Sequence, residues 1–255
     1  MPSFVPSLKK ILLLTAVFMA SRAGAGELQN KFLSHAEVEM KRTETVWQAD
    51  KSNSTNTWQF ARACFDVAEI ATNATQRADV SRLGIAAARE LLAREPKSAP
   101  GHYTLALNLG ELADAEAPSL AAYKLVHEIE HEFIIAAQLD PDFDHAGAPR
   151  CLGLLYRDAP GWPLSIGNKH KARQWLERAA VQSPDYPENF INLAEAHLRW
   201  HEQTEAERAL KRLDALWPSA QTNLTGVEWE KSWIDWDKQR NAAKAEYQRQ
   251  FKHTP

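Results

Sequence analysis

The sequence predicts an all-α fold, an α-solenoid of stacked helix pairs, and three observations predict it. The first is an echo at fixed distance: Ala172, Leu176, Ala179 and Pro184 return 34 residues later as Ala206, Leu210, Leu213 and Pro218. Within each set the first three residues share one helix face, and the proline stands where a helix is expected to stop. The second is Phe190-x2-Leu193-Ala194-x2-His197 between the two sets, another apolar stripe at helical spacing. A period near 34 with small residues at the crossing points marks repeated helix pairs. The third is composition: 10 glycines in 255 residues, no strand-like alternation, and a predominance of Ala, Leu, Glu, Arg and Gln, which favour helix.

Composition also bounds the function. Charged residues are 25% and apolar residues 44%, as in a protein with a real core. The formal charge of -3 supplies no basic field, so no nucleic-acid partner is expected. Residues 1–25 read as a secretory signal peptide: Lys9 and Lys10 precede the apolar run Ile11–Ala20, and Ala23 and Ala25 set a cleavage point after Ala25. A membrane anchor needs about 20 apolar residues, and this run has ten. Cleavage removes Lys9, Lys10 and Arg22 and no acid, which takes the charge from -3 to -6. No later segment is apolar enough to span a bilayer, so a secreted or periplasmic protein is expected. Export invites a disulfide between Cys64 and Cys151. The repeat register, however, sets them two repeats apart, which favours separate buried thiols over the approach of about 7 Å that a disulfide requires.

Taken in order, residues 26–55 form a cap helix, with Phe32, Leu33, Val38 and Trp47 as anchors, followed by the polar loop 51–56. Asn53, Asn73 and Asn223 head glycosylation sequons, for which chance occurrence is the simpler account. Residues 56–218 hold four helix pairs. The first runs from Trp58-x2-Ala61-Arg62-x2-Phe65 to Gly84-x3-Ala88-x2-Leu91 and stops at Glu95-Pro96. The second runs from His102-x2-Leu105-Ala106-x2-Leu109 to Ile129-x3-Phe133-x2-Ala136 and stops at Asp140-Pro141. The third opens at Leu152-Gly153-x2-Tyr156 and the fourth at Phe190. Residues 219–255 contribute a loop and a capping helix. On it Trp229, Trp233 and Trp236 make one stripe that covers the last repeat or docks a partner, with Ala243, Tyr247 and Phe251 continuing at four-residue steps.

Leu152-Gly153-x2-Tyr156 followed by Ala172-x3-Leu176-x2-Ala179-x4-Pro184 resembles the tetratricopeptide repeat (TPR). The fourth pair fits that pattern without gaps, whereas the first three carry insertions between their helices. A narrower resemblance rests on Pro96–Gly110, Leu139–Gly147 and Leu152–Tyr156, which are similar to the T component of tripartite ATP-independent periplasmic (TRAP) transporters. That resemblance implies a periplasmic helical protein working beside a solute-binding protein. Members are often lipoproteins, and this chain lacks the lipobox cysteine.

Three features could carry chemistry. His127-Glu128-Ile129-Glu130-His131 matches H-E-x-x-H, the zinc-hydrolase pattern of two histidines one turn apart. The register buries Ile129 and Phe133 and turns both histidines outward, so a solvated helix face is the expected reading. The insertion Ala159–Asn168 stiffens Trp162, Leu164 and Ile166 with two prolines and glycines. It is either a plug folded onto the solenoid or a wall of a ligand groove with Trp162 as flat anchor. On the concave side the register sets Tyr103, Arg150, Arg157, Asp158, Glu188 and Glu195. Arg150 and Arg157, seven residues apart, either clamp an external carboxylate or pair internally with Asp158, Glu188 or Glu195. No phosphate-cradling glycine motif occurs, and no cofactor is expected. The sequence thus predicts a non-enzymatic binding or scaffold protein. Its concave face would take a protein, or alternatively a small organic acid, through Tyr103, Arg150, Arg157, Trp162 and Glu195.

Overall fold

A computed structural model describes residues 22–117 and 119–252. Among them are ten α-helices and one 3-10 turn, with no β-strand. Most of the expected signal peptide lies outside the described residues. Helix α1 (Arg22–Ala49) begins four residues before the expected cleavage point.

The chain divides into two compact units. The amino-terminal unit holds α1, α2 (Ser54–Ile70), α3 (Ala74–Arg94), α4 (Ala99–Glu116) and α5 (Leu120–Leu139), together with loop residues 158–166. Each of α2 to α5 starts at a polar side chain that accepts from a first-turn N–H: Asn53 from Asn56, Asn73 from Gln76, Ser98 from Gly101 and Ser119 from Ala122. Two of the sequon asparagines are therefore helix caps. On α1, Ala36 and Thr43 are buried and Trp47 stacks on Phe60 with ring centroids 4.7 Å apart.

Helix α4 is the hub of this unit, packed against α2, α3 and α5. Its residues 101–109 are all buried, because Leu105, Ala106, Leu107 and Leu109 supply apolar surface on every side. The one amide in that run is satisfied on its donor side: Asn108 Nδ2 donates to the Ala61 carbonyl (2.9 Å) and the Thr104 carbonyl (2.8 Å). Gly84 makes room for it, since a Cβ there would overlap the Asn108 amide. His102 ties α4 to α5 through Glu132 and donates from Nε2 to the Pro96 carbonyl (2.9 Å).

The carboxy-terminal unit holds α6 (Phe143–Asp158, its last residue excepted), α7 (Lys169–Gln182), α8 (Pro187–Arg199), α9 (Gln203–Asn223), the 3-10 turn Val227–Trp229 and α10 (Glu230–Phe251). The residues of the 34-residue echo are its seam: Ala172, Leu176, Ala179, Ala206, Leu210 and Leu213 are all buried. Gly153 lets α6 approach α7 closely, because a Cβ there would run into Leu176. Trp229 and Trp236 are buried with Tyr186, Ile191, Leu213 and Trp217, and Trp233 packs on that cluster from its edge. The tryptophan stripe is thus a cap over α8 and α9.

One expectation needs correction. Pro184 does follow the end of α7, as Pro96 and Pro141 follow α3 and α5, but Pro218 lies inside α9, which continues to Asn223. Local hydroxyls take up carbonyls around it, Ser219 donating to Leu216 (2.8 Å) and Thr222 to Pro218 (3.1 Å). Trp217 and Ala220, buried against the aromatic cap, hold the last turn in helical form. Packing overrides the proline's local preference here.

Candidate functional site

The residues expected on an open concave surface are mostly enclosed. Tyr103 is fully buried in the amino-terminal unit, its ring tilted against Phe133 at 5.9 Å. In the carboxy-terminal unit Arg150 has no exposed surface and Arg157 is buried. Of the two readings of these arginines, the internal one describes the structure: Arg150 Nε lies 3.7 Å from Glu188 Oε2, and Arg157 Nη1 lies 3.6 Å from Glu195 Oε2. The clamp for an external carboxylate is closed from within.

Arg150 does something the sequence did not disclose. Asp144, His145 and Ala146 all have φ between 54° and 59° and ψ between 41° and 48°, a left-handed turn ahead of the regular part of α6. Residues with a Cβ avoid this region at about 1–2 kcal/mol each, so the turn needs external ties. Arg150 Nη1 donates to the His145 carbonyl (2.8 Å) and to Asn189 Oδ1 (3.0 Å), and Nη2 donates to the Asp144 carbonyl (3.5 Å). Asn189 Nδ2 donates to the same His145 carbonyl (3.3 Å) and to those of Ala179 (3.1 Å) and Ser183 (3.1 Å). The His145 ring stacks on Tyr186 at 4.4 Å, and the Arg150 guanidinium sits 4.9 Å from the Tyr186 ring centre. Burial lowers the His145 imidazole from its ordinary value. Burial likewise raises the Glu188 carboxyl, to about 7, with Arg150 only partly opposing it.

A second ionic cluster joins α7 to the α8–α9 turn. Glu202 accepts from Lys169 (2.9 Å), Arg173 (2.5 Å) and His197 (2.8 Å). Lys169 and Arg173 also each stand 5.2 Å from the Trp200 ring centre. Partial burial would raise the Glu202 carboxyl, but hydrogen bonds from Lys169, His197 and Arg173 outweigh it and hold the group down at about 2.

The remaining candidates lie in the amino-terminal unit. In loop 158–166, Trp162 is 89% and Leu164 76% exposed. They are thus not folded inward as a plug, and the turn is closed on itself by Leu164 and Ser165 donating to the Gly161 carbonyl (3.1 and 3.3 Å). On α5, His127 and His131 face solvent while Ile129 and Phe133 are buried, as the register predicts. Glu128 pairs with Arg89 at 2.7 Å. Among the described residues no group of three or more His, Cys, Asp or Glu side chains is arranged to hold a metal ion. Cys64 and Cys151 are both buried and not joined in a disulfide, and burial raises the Cys64 thiol far above its ordinary value.

Only faint signals could have revealed the missed features. Asp144 and His145 are polar residues that tolerate left-handed backbone better than most, and Lys169 and Arg173 sit one turn apart facing the acid at 202.

Comparison with known proteins bears on the fold more than on these sites. A family model described as Regulator of microtubule dynamics protein 1-3 matches residues 25–146, a little under half of the chain. No curated protein matches the chain. Among solved structures, a thermophilic TPR protein of Thermus thermophilus is similar over 87% of this chain and 96% of its own, with TM-score 0.59 and 17% identity. MamA is similar over 81% of this chain and 99% of its own, with TM-score 0.50 and 14% identity. The architecture is therefore a TPR-like helical solenoid.

Proposed function

We propose that the protein is a non-catalytic helical-repeat scaffold that recognises a protein partner, with the loop of residues 158–166 as a principal contact. The observation that carries this reading is the exposure of Trp162 and Leu164 on a loop stiffened by Pro160 and Pro163. An exposed tryptophan on a rigid turn offers a large apolar contact at small entropic cost. The TPR-like fold supports a partner that is a protein. A small organic acid is the weaker alternative, because Arg150 and Arg157 are buried and face Glu188 and Glu195 rather than solvent.

A photo-crosslinking residue at position 162, introduced in the native cell, tests the reading. A defined partner should be captured there and not from the same probe at the exposed Lys97, and Trp162→Ala with Leu164→Ala should lower affinity for it at least tenfold. Equal labelling from both positions would retire the loop.

Finer readings attach to specific observations. Export rests on the residue 1–25 pattern, and a processed amino terminus at Gly26 in the mature protein would support it. The role of accessory T component of a TRAP transporter rests on the Pro96–Gly110, Leu139–Gly147 and Leu152–Tyr156 motifs, and calls for neighbouring genes encoding a solute-binding protein and membrane subunits. The partial match to a family named for regulating microtubule dynamics favours a second partner class for the amino-terminal unit. Co-sedimentation with polymerised tubulin, or its absence, decides that one. Zinc hydrolysis through His127, Glu128 and His131 is the least supported reading, and stoichiometric zinc lost on His131→Ala would restore it.

A further inference from the structure

We propose that the left-handed turn Asp144–Ala146, tied by Arg150 and Asn189 beside the buried Glu188, is a pH-responsive latch: it stays shut while Glu188 keeps its proton and opens more often once the proton is gone. The geometry supplies both halves of such a device. The turn is strained at three successive non-glycine residues, and beyond its own Ala146 N–H to Asp142 carbonyl bond (3.3 Å) it is tied by the Arg150 and Asn189 side chains. Releasing the ties lets all three residues return to ordinary backbone, so opening has a built-in gain.

Glu188 is the group that sets the balance. It is buried beside the clamp, and the charged or titratable groups facing it are Arg150 and Asp144 from α6, Tyr186 ahead of α8 and Lys231 from α10. Arg150 compensates the carboxylate only in part: its Nη1 is committed to His145 and Asn189, and Nε stands 3.7 Å from the Glu188 oxygen, beyond hydrogen-bond range. The Tyr186 hydroxyl donates over a long 3.4 Å. Asp144 opposes a second negative charge. The closed cluster therefore accommodates the neutral acid better than the carboxylate, while water in the open form accommodates the carboxylate. Losing the proton shifts the equilibrium toward opening. His145 stacks on Tyr186 in the same cluster and acts with the opposite sign, since its protonation at acid pH also favours the open form.

Hydrogen exchange resolved by mass spectrometry tests the latch on the full chain. Peptides spanning 143–150 and 186–190 are followed at about pH 6 and pH 8, after correction for intrinsic rates. Relative to Glu188→Gln, which keeps the shape and cannot ionise, the wild-type opening constant should rise about 10-fold between the two pH values, given a carboxyl at about 7 when closed and 4.5 when open. Identical pH dependence in the two proteins overturns the proposal. A direct titration of the Glu188 side-chain carboxyl by carbon-detected NMR is independent of exchange. A midpoint near neutrality supports the latch, and a midpoint in the ordinary carboxylate range sinks it.

Discussion

The two units build helix pairs from different materials. In the amino-terminal unit the seams are made of small residues: Ala61, Ala68, Ala88 and Ala106 are completely buried, and Gly84 admits the Asn108 amide. Several of its ion pairs lie toward the surface, such as Arg82 with Glu116 and Arg89 with Glu128, while Arg77 with Glu111 and Asp114 is largely enclosed. In the carboxy-terminal unit the small-residue seam is joined by an aromatic cap and a buried charge. Tyr186 meets Trp236 edge-on at 5.3 Å, Trp233 meets both Trp217 and Trp236, and Arg150 is enclosed with Glu188. Close backbone approach serves the first unit. The second adds a cluster of large rings and the fully enclosed Arg150, so the two should fail under different insults.

The largest effect is expected where the aromatic cap is emptied. Trp236→Ala removes a buried ring that touches Tyr186, Trp229 and Trp233, and should cost about 3–5 kcal/mol in urea unfolding. A loss below about 1 kcal/mol would mean that the cap contributes little and that the difference between the units is only compositional.

Next in size is a pH effect confined to the carboxy-terminal unit. The folded-state value of Glu188 is raised, so the folded form holds a proton that the unfolded chain has already released between pH 4.5 and about 7. Stability from this group is therefore full on the acid side and is lost as pH rises through that window. Glu188→Gln should leave stability unchanged near pH 4.5 and raise it by up to about 3 kcal/mol at pH 8. Paired melts at the two pH values check both the size and the sign. Smaller again is the insult that should matter most to the amino-terminal unit. Gly84→Ala overpacks the notch that holds Asn108 and should cost about 1–3 kcal/mol. The displaced amide would lose its bonds to Ala61 and Thr104, which a shift of the Asn108 side-chain resonances would reveal.

What the sequence disclosed follows the same division. Helical periodicity located every pair, because Ala172, Leu176, Ala179 and their echoes are buried by a pattern that depends only on spacing. The burial of Ile129 and Phe133 and the outward turn of His127 and His131 were legible for the same reason. Long-range ties were not. That Arg150 would reach back to its own His145 carbonyl, or that Tyr103 would be sealed in, depends on which neighbours close over a helix face, and periodicity carries no such information. Pro218 breaks the local rule that expects a helix to stop, because packing of Trp217 and Ala220 decides there. The loop around Trp162 was legible as stiff, but not as exposed.

The smallest effect separates the two glutamates of the carboxy-terminal unit. Glu202 is held down at about 2 by Lys169, His197 and Arg173, so it should stabilise the fold at any pH above its unfolded value of 4.5. That contribution is lost as pH falls through about 2, the reverse of Glu188. Its partner Lys169 is half exposed, and water screens the cluster, so Glu202→Gln should cost only about 1 kcal/mol at pH 7. The difference between variant and wild type should shrink as the medium is acidified. Raising ionic strength at pH 7 should shrink it as well, since exposed pairs are screened within about 10 Å at 0.1 M salt. A Glu202 effect that persisted in high salt would place the cluster, electrostatically, among the buried charges with Arg150 rather than among surface pairs such as Arg89 and Glu128.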